Sequence, residues 1–228
     1  MSATTRYDLV AFDLDGTIID DTVFVWYTLH EYFDTPKAAR KKAFSDYMEG
    51  RINYQEWFEH DIEILLEKGA NRATIDLALA GMKLIPGSLQ TLEILREAGA
   101  YLVVISGSID VVVERFGLAE YFDELYLNRL TFDEAGKLVA WKHTPYDVWD
   151  KAVGLREVAH RLGIPLEKTA YVGDNFNDVA VAKAAGFSVA FNCKSDELAE
   201  VSDVVVDGSD MRNILPYLLD NPAKQAAE

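Results

Sequence analysis

Three short apolar runs, each stopping at polar residues and each separated from the next by helical pattern, restrict this chain to an α/β fold with a parallel sheet. Residues 7–12 (Tyr-Asp-Leu-Val-Ala-Phe) stop at Asp13, residues 100–105 at Ser106, and residues 169–172 at Gly173 and Asp174. A strand buried on both faces reads as such a run, not as an alternation. Helical pattern covers 87–98, closed by Gly99, then 152–162, closed by Gly163 and Pro165, and 178–185, closed by Gly186. Glycine relieves the left-handed position just past a helix end. Later strands are expected at 188–191 and 203–206, a hairpin within 131–143 turning at Asp133-Glu134-Ala135-Gly136, and a last helix at 211–219. The expected architecture is a Rossmann-like parallel sheet with helices on both faces.

Residues 21–82 break the alternation. They hold no apolar strand run and read as amphipathic helices with breaks near Asp34-Thr35-Pro36, Gly50 and Gly69. The segment is rich in aromatics (Phe24, Trp26, Tyr27, Tyr32, Phe33, Phe44, Tyr47, Tyr54, Trp57, Phe58), whose plain reading is the core of a small helical bundle. The expected division is a core of residues 1–20 and 83–228 with a helical cap, 21–82, inserted after the first strand and lying over its C-terminal edge. Residues 220–228 read as a frayed tail.

The formal net charge of −16 repels phosphate backbones and anionic lipid heads, so neither nucleic acid nor a membrane surface is expected as a partner. No apolar run approaches the roughly 18 residues a membrane span needs, and the N-terminus lacks the layout of a signal peptide. A single cysteine, Cys193, excludes an intramolecular disulfide and points to a reducing compartment, so a cytoplasmic location is expected.

Ligands of open parallel sheets bind beyond the C-terminal strand ends, and here those ends carry chemistry. Asp13 and Asp15 sit two apart at the first exit, with Gly16 free to turn the backbone behind them. Ser106-Gly107-Ser108 at the second offers a hydroxyl and free N–H groups suited to phosphate oxygens. Gly173-Asp174-Asn175-Phe176-Asn177-Asp178 at the third opens a helix with two more carboxylates. Mg²⁺ takes hard oxygen ligands and suits carboxylates from separate strands. No His or Cys cluster has zinc spacing. Each piece alone has an ordinary reading as a turn, a loop or a helix cap, and Lys151 alone reads as a surface lysine.

Taken in order, the pieces resemble the haloacid dehalogenase superfamily of phosphatases, most closely its phosphoserine phosphatase branch. The resemblance lies in Asp13-Leu14-Asp15-Gly16-Thr17, Ser106-Gly107, Lys151, and Gly173-Asp174-Asn175-Phe176-Asn177-Asp178. It continues through Ala184-Ala185-Gly186, Ala190-Phe191-Asn192 and Ser202-Asp203, with Met48-Glu49-Gly50 inside the insert. It implies that Asp13 is the nucleophile and Asp15 the general acid and base. It implies that the Asp13 side chain, the Asp15 carbonyl and the Asp174 side chain hold Mg²⁺. Ser106, Gly107 and Lys151 would bind the phosphoryl oxygens, with Asp178 orienting Lys151 and Asn177 in support. The implied substrate is a small phosphomonoester and the implied protein a monomer or homodimer. A phosphotransferase passing the group to an alcohol, or a non-catalytic phosphate-binding module, stays open as the alternative.

Two positions depart from the branch. It uses a glutamate for the substrate ammonium where this chain has Thr22, and an arginine for the carboxylate where this chain has Asp61. An arginine clamps a carboxylate through paired hydrogen bonds; an aspartate repels it. Arg51, Arg40 or Lys42 could supply the cation instead. Ser108 stands where the family commonly has glycine.

Overall fold

The computed structural model describes residues 4–20, 22 and 24–220. The readings of the extreme N-terminus, of Asp21 and of the tail past Asp220 therefore fall, in whole or part, outside the described residues. The strands are β1 (Leu9–Phe12), β2 (Ile19–Asp20), β3 (Lys83–Leu84), β4 (Tyr101–Ile109), β5 (Glu124–Phe132), β6 (Leu138–Lys142), β7 (Thr169–Gly173), β8 (Phe187–Phe191) and β9 (Val204–Val206). Seven of them form one sheet in the order β6-β5-β4-β1-β7-β8-β9, parallel throughout except where β6 folds back antiparallel on β5. The register sets Phe12 against both Val104 and Val172, so Asp13, Ile105 and Gly173 follow at one level on one edge of the sheet.

The core helices are α5 (Ser88–Glu97), α6 (Asp110–Phe116), α7 (Lys151–Leu162), α8 (Val179–Ala184), α9 (Asp196–Val201) and α10 (Leu215–Leu218). Alternate residues of β1 serve opposite faces. Val10 and Phe12 pack with Leu92, Leu95 and Val112, whereas Leu9 and Ala11 pack with Leu155, Val158 and Val181. Both faces are thus covered, and β1 is wholly buried, which is why it reads as an unbroken apolar run.

Between β2 and β3 the described residues form α1 (Val25–Tyr32), α2 (Lys37–Met48), α3 (Tyr54–Glu67) and α4 (Arg72–Ala78), with a 3₁₀ turn at Leu79–Gly81. Asn53 and Asn71 open α3 and α4 as reciprocal capping boxes with Glu56 and Thr74. β2 and β3 pair antiparallel, Ile19 with Leu84 and Asp20 with Lys83, so one two-stranded ribbon carries both chain crossings of the helical segment. Val25, Leu29, Ile62 and Leu65 join the same apolar cluster as Val10 and Phe12.

Three expectations need correction. The aromatics of residues 21–82 are not chiefly bundle core: Phe58 alone of the ten is buried, and five of the others line a cavity. Residues 211–219 do not form one helix; a 3₁₀ turn, Met211–Ile214, precedes the single turn of α10, where Pro216 has no N–H to donate. Ser106-Gly107-Ser108 is not a loop after the second strand, because β4 runs on to Ile109 with a register shift between Ile105 and Ile109. Among the described residues no helix is long and apolar enough to cross a membrane.

Candidate active site

Asp13 follows β1 directly and donates its backbone N–H to the Val172 carbonyl at 2.9 Å, which fixes it between the ends of β4 and β7. Its carboxylate is 2 % exposed. Lys151, at the start of α7, brings Nζ within 3.0 Å of Asp13 Oδ2 and donates to Asp178 Oδ1 at 2.7 Å. The lysine is completely buried, far from the surface role its sequence context allowed. Burial opposes the ammonium, but Asp13, Asp178 and Asp147 outweigh it, and its pKa is raised.

Asp178 spends its whole carboxylate on neighbours. Oδ1 also accepts from the Tyr171 hydroxyl at 2.6 Å, and Oδ2 accepts from the N–H groups of Asp174 and Asn175 at 2.9 and 3.1 Å. Asp178 therefore holds the turn after β7 in shape and aims Lys151. Asp174 lies across from Asp13, with Oδ1 accepting from Thr17 Oγ1 at 3.1 Å and Oδ2 from Lys194 Nζ at 2.8 Å. Gly16 has φ of +81°, and any Cβ there would collide with Asp174 and Lys194, so both backbone shape and space demand glycine.

Asp15 is held differently. Oδ2 accepts from the Val25 N–H at 2.7 Å, the first donor of α1, and Oδ1 accepts from Ser108 Oγ at 2.8 Å. Burial raises its carboxyl from 3.8 to about 6, more than these two bonds lower it. Burial, reinforced by Asp178 and Asp174 against the pull of Lys151, also raises Asp13, and burial with Asp178 raises Asp174 to about 6. Too little positive charge faces these carboxylates. The carboxylates of Asp13, Asp174 and Asp178 present oxygens within 4.8 Å of one another. An all-oxygen donor set short of positive charge fits a hard divalent cation such as Mg²⁺.

Gly107 leaves room beside the site for a neighbouring carboxylate. Its carbonyl accepts from Trp26 Nε1 at 2.9 Å and from Asn128 Nδ2 at 2.7 Å, and a Cβ on it would run into the Asp147 carboxylate. Ser106 is buried beside Asp13 and lowers its carboxyl by hydrogen bonding. Asn177 is 6 % exposed, and its Oδ1 is a buried acceptor with no partner. All the expected site residues are thus gathered at one sheet edge, Asp178 and Lys151 beneath the rest. Asp13, Asp15, Ser106, Gly107 and Asn177 line a cavity of about 570 Å³ whose other wall is the helical segment. Sequence reasoning missed Ser108 as the partner of Asp15, Lys194 and Thr17 as partners of Asp174, and Asp147 against Gly107.

A family model described as "Hydrolase: haloacid dehalogenase-like hydrolase" matches residues 7–186. A phosphoserine phosphatase of Methanocaldococcus jannaschii is 28 % identical over 214 residues, covering 92 % of this chain and 97 % of that one. Phosphoserine phosphatase SerB2 of Mycobacterium tuberculosis is 29 % identical over 198 residues; the match covers 86 % of this chain but 46 % of that longer protein, so this chain spans about half its length. A solved phosphoserine phosphatase holding an analogue of the phospho-aspartyl intermediate superposes with a TM-score of 0.71 at 27 % identity, covering 92 % of this chain and 98 % of the other.

Proposed function

Because this chain belongs to the haloacid dehalogenase-like hydrolases, as a phosphatase similar to the phosphoserine phosphatases, we propose that it hydrolyses small phosphomonoesters by way of a phosphoryl group carried on Asp13. The observation that carries this reading is the placement of Asp13: at the end of the central strand, under the cavity, 3.0 Å from the buried ammonium of Lys151. A carboxylate oxygen of Asp13 attacks phosphorus as the bond to the ester oxygen breaks, and Asp15 gives its proton to that departing oxygen. Asp15, now ionised, takes a proton from water, which attacks the aspartyl-phosphate and frees inorganic phosphate and Asp13. A carboxyl at about 6 suits both halves of that duty near neutral pH.

Lys151 and the Ser106 hydroxyl bind the oxygens of the transferring group, with the Gly107 backbone close by, and Asn177, whose Oδ1 acceptor has no partner, lines the same space. Side chains of Asp13 and Asp174 with the Asp15 carbonyl would hold Mg²⁺, which when bound neutralises phosphoryl charge. Asp178 is left out of that set, its oxygens already serving four donors. In this reading residues 21–82 are a cap on a core of 1–20 and 83–228. It moves on the β2–β3 ribbon and excludes water while the acyl phosphate exists. A cytoplasmic setting accords with the lone thiol of Cys193.

The test is phosphate release from simple phosphomonoesters by wild type and Asp13→Asn, with Mg²⁺ and after EDTA. Activity is expected with Mg²⁺, none after EDTA, recovery on re-addition, and a loss on the order of 10⁴-fold or more in the variant, as for other nucleophile deletions. Near-normal release by Asp13→Asn would refute the covalent route.

A further inference from the structure

The helical wall of the cavity carries a charge pattern that the chemistry at the sheet edge does not use. Asp61 of α3, 6 % exposed, lines the cavity together with His30 of α1, 3 % exposed. Among the described residues its ion-pair contacts are two imidazoles: His30 Nε2 at 3.4 Å and His60 Nδ1 at 3.3 Å, both from Oδ1. No lysine or arginine reaches it. His30 Nδ1 is engaged by Thr35 Oγ1 at 2.9 Å, but Nε2 is not aligned for a hydrogen bond with Asp61 and has no partner. A buried carboxylate matched only by imidazoles, beside a buried ring nitrogen left unpaired, is costly to keep unless something in the cavity completes it.

The cations of this wall suited to a substrate carboxylate are occupied elsewhere. Arg51 is bound to Asp46 and Glu49, Lys42 to Asp46, and Arg40 lies over the Tyr27 ring while bonding Glu31 with Lys37. Thr22 spends its hydroxyl on Thr28 at 2.9 Å. Lys41 alone of this group lines the cavity without such a tie, and it is exposed at the mouth. The remaining lining is largely aromatic (Phe24, Trp26, Tyr27, Phe44, Trp57 and Phe176), with Val148 and, against Gly107, the Asp147 carboxylate. Rigid rings around a cavity of about 570 Å³ match a flat leaving group that packs by offset or edge contacts, whereas a short ammonium alcohol would leave most of that space to water.

We propose that the leaving group is a flat, nitrogen-bearing ring whose N–H or protonated nitrogen is received by Asp61 and His30, and that it carries no carboxylate. The proposal rests on the phosphatase reading above and names the substrate class of the same site.

Four probes separate the contributions, assayed as kcat/KM on the full chain with Mg²⁺: pyridoxine 5′-phosphate (ring and ring nitrogen), phenyl phosphate (ring only), phosphoethanolamine (ammonium, no ring) and phosphoserine (ammonium and carboxylate). The first is expected to lead phenyl phosphate by about tenfold or more, since a site built to bond an N–H rejects the analogue lacking it. It is expected to lead the other two by a wider margin. Asp61→Asn should shrink the lead over phenyl phosphate to within about threefold, because the acceptor that reads the nitrogen is gone. A lead that survives Asp61→Asn overturns the proposal. So does first place for phosphoserine or phosphoethanolamine; a phosphoserine lead abolished by Lys41→Ala would put the missing cation at the mouth. If Asp61→Asn fails to fold by circular dichroism, the wild-type ranking decides alone. Hydrolysis of phenyl phosphate with no gain from the ring nitrogen sinks this proposal only; no hydrolysis of any probe sinks the phosphatase reading and this proposal with it.

Discussion

The two walls of the cavity differ in how far their carboxylates are satisfied. At the sheet edge Asp178 accepts four hydrogen bonds, Asp15 two and Asp174 two, all from fixed donors. On the helical wall Asp61 has, among the described residues, only imidazoles as ion-pair partners, and His30 Nε2, 3.4 Å from it, makes no hydrogen bond. A network completed by the protein is set before substrate arrives, which is what positioning and electrostatic catalysis require. A network left incomplete awaits the ligand. In the proposed reading the reaction is fixed at one wall and the choice of leaving group is left to the other.

Substitutions should divide along the same line. Asp15→Asn is expected to lower kcat by about 10²–10⁴-fold, the usual worth of a positioned proton donor and acceptor. The loss should be larger for alkyl phosphates than for p-nitrophenyl phosphate, whose leaving oxygen hardly needs a proton. An equal loss for both would remove Asp15 from the acid role.

Stability should reveal the same wall through pH. The native carboxyl of Asp15 lies at about 6 against an ordinary 3.8, so the native state binds its proton first. Its stabilising contribution is full below 3.8 and is lost as pH rises through about 6. Two pKa units correspond to roughly 3 kcal/mol, an upper value for this one group. Metal-free protein should thus melt several degrees higher at pH 5 than at pH 7, and Asp15→Asn should reduce that difference without abolishing it, because Asp174, also raised to about 6, contributes with the same sign. A wild-type Tm that falls toward pH 5 would contradict the assignment.

Ser108→Gly should cost about tenfold in kcat, the loss of one hydrogen bond to a carboxylate worth about 1.5 kcal/mol. The basic limb of the pH–rate profile should move with it. On the other wall, Trp57→Ala should raise KM by about three- to tenfold for a ring-bearing substrate, in line with about 0.5–1.5 kcal/mol for an aromatic contact. Its kcat should change less. If Trp57→Ala instead lowers kcat and spares KM, the division between the walls fails.

The strand ends that gather Asp13, Ser106 and Asp174 were legible because β1, β4 and β7 are buried on both faces and read as apolar runs. β5 was not: Glu124, Asn128 and Arg129 interrupt it, Glu124 serving the tyrosines and Arg161 beside it and Asn128 the Gly107 carbonyl. Aromatic spacing on α1, α2 and α3 could not tell a bundle core from a cavity wall, since both put rings on one helix face. The partnerships of Ser108 with Asp15 and Lys194 with Asp174 join residues 93 and 20 apart, and no local pattern announces them. Lys151 was visible only through the order of the other motifs, because nothing in its own neighbourhood marks a lysine for complete burial.

Turnover by the proposed route requires Asp13 to carry the phosphoryl group. Acid-quenched wild-type enzyme, caught during turnover of phenyl phosphate and digested, should yield the peptide containing Asp13 heavier by one phosphoryl group. The added mass should disappear when the quench follows exhaustion of the substrate and be absent from Asp13→Asn. Phosphate released at an undiminished rate with no such peptide, or the added mass on another residue, would contradict it.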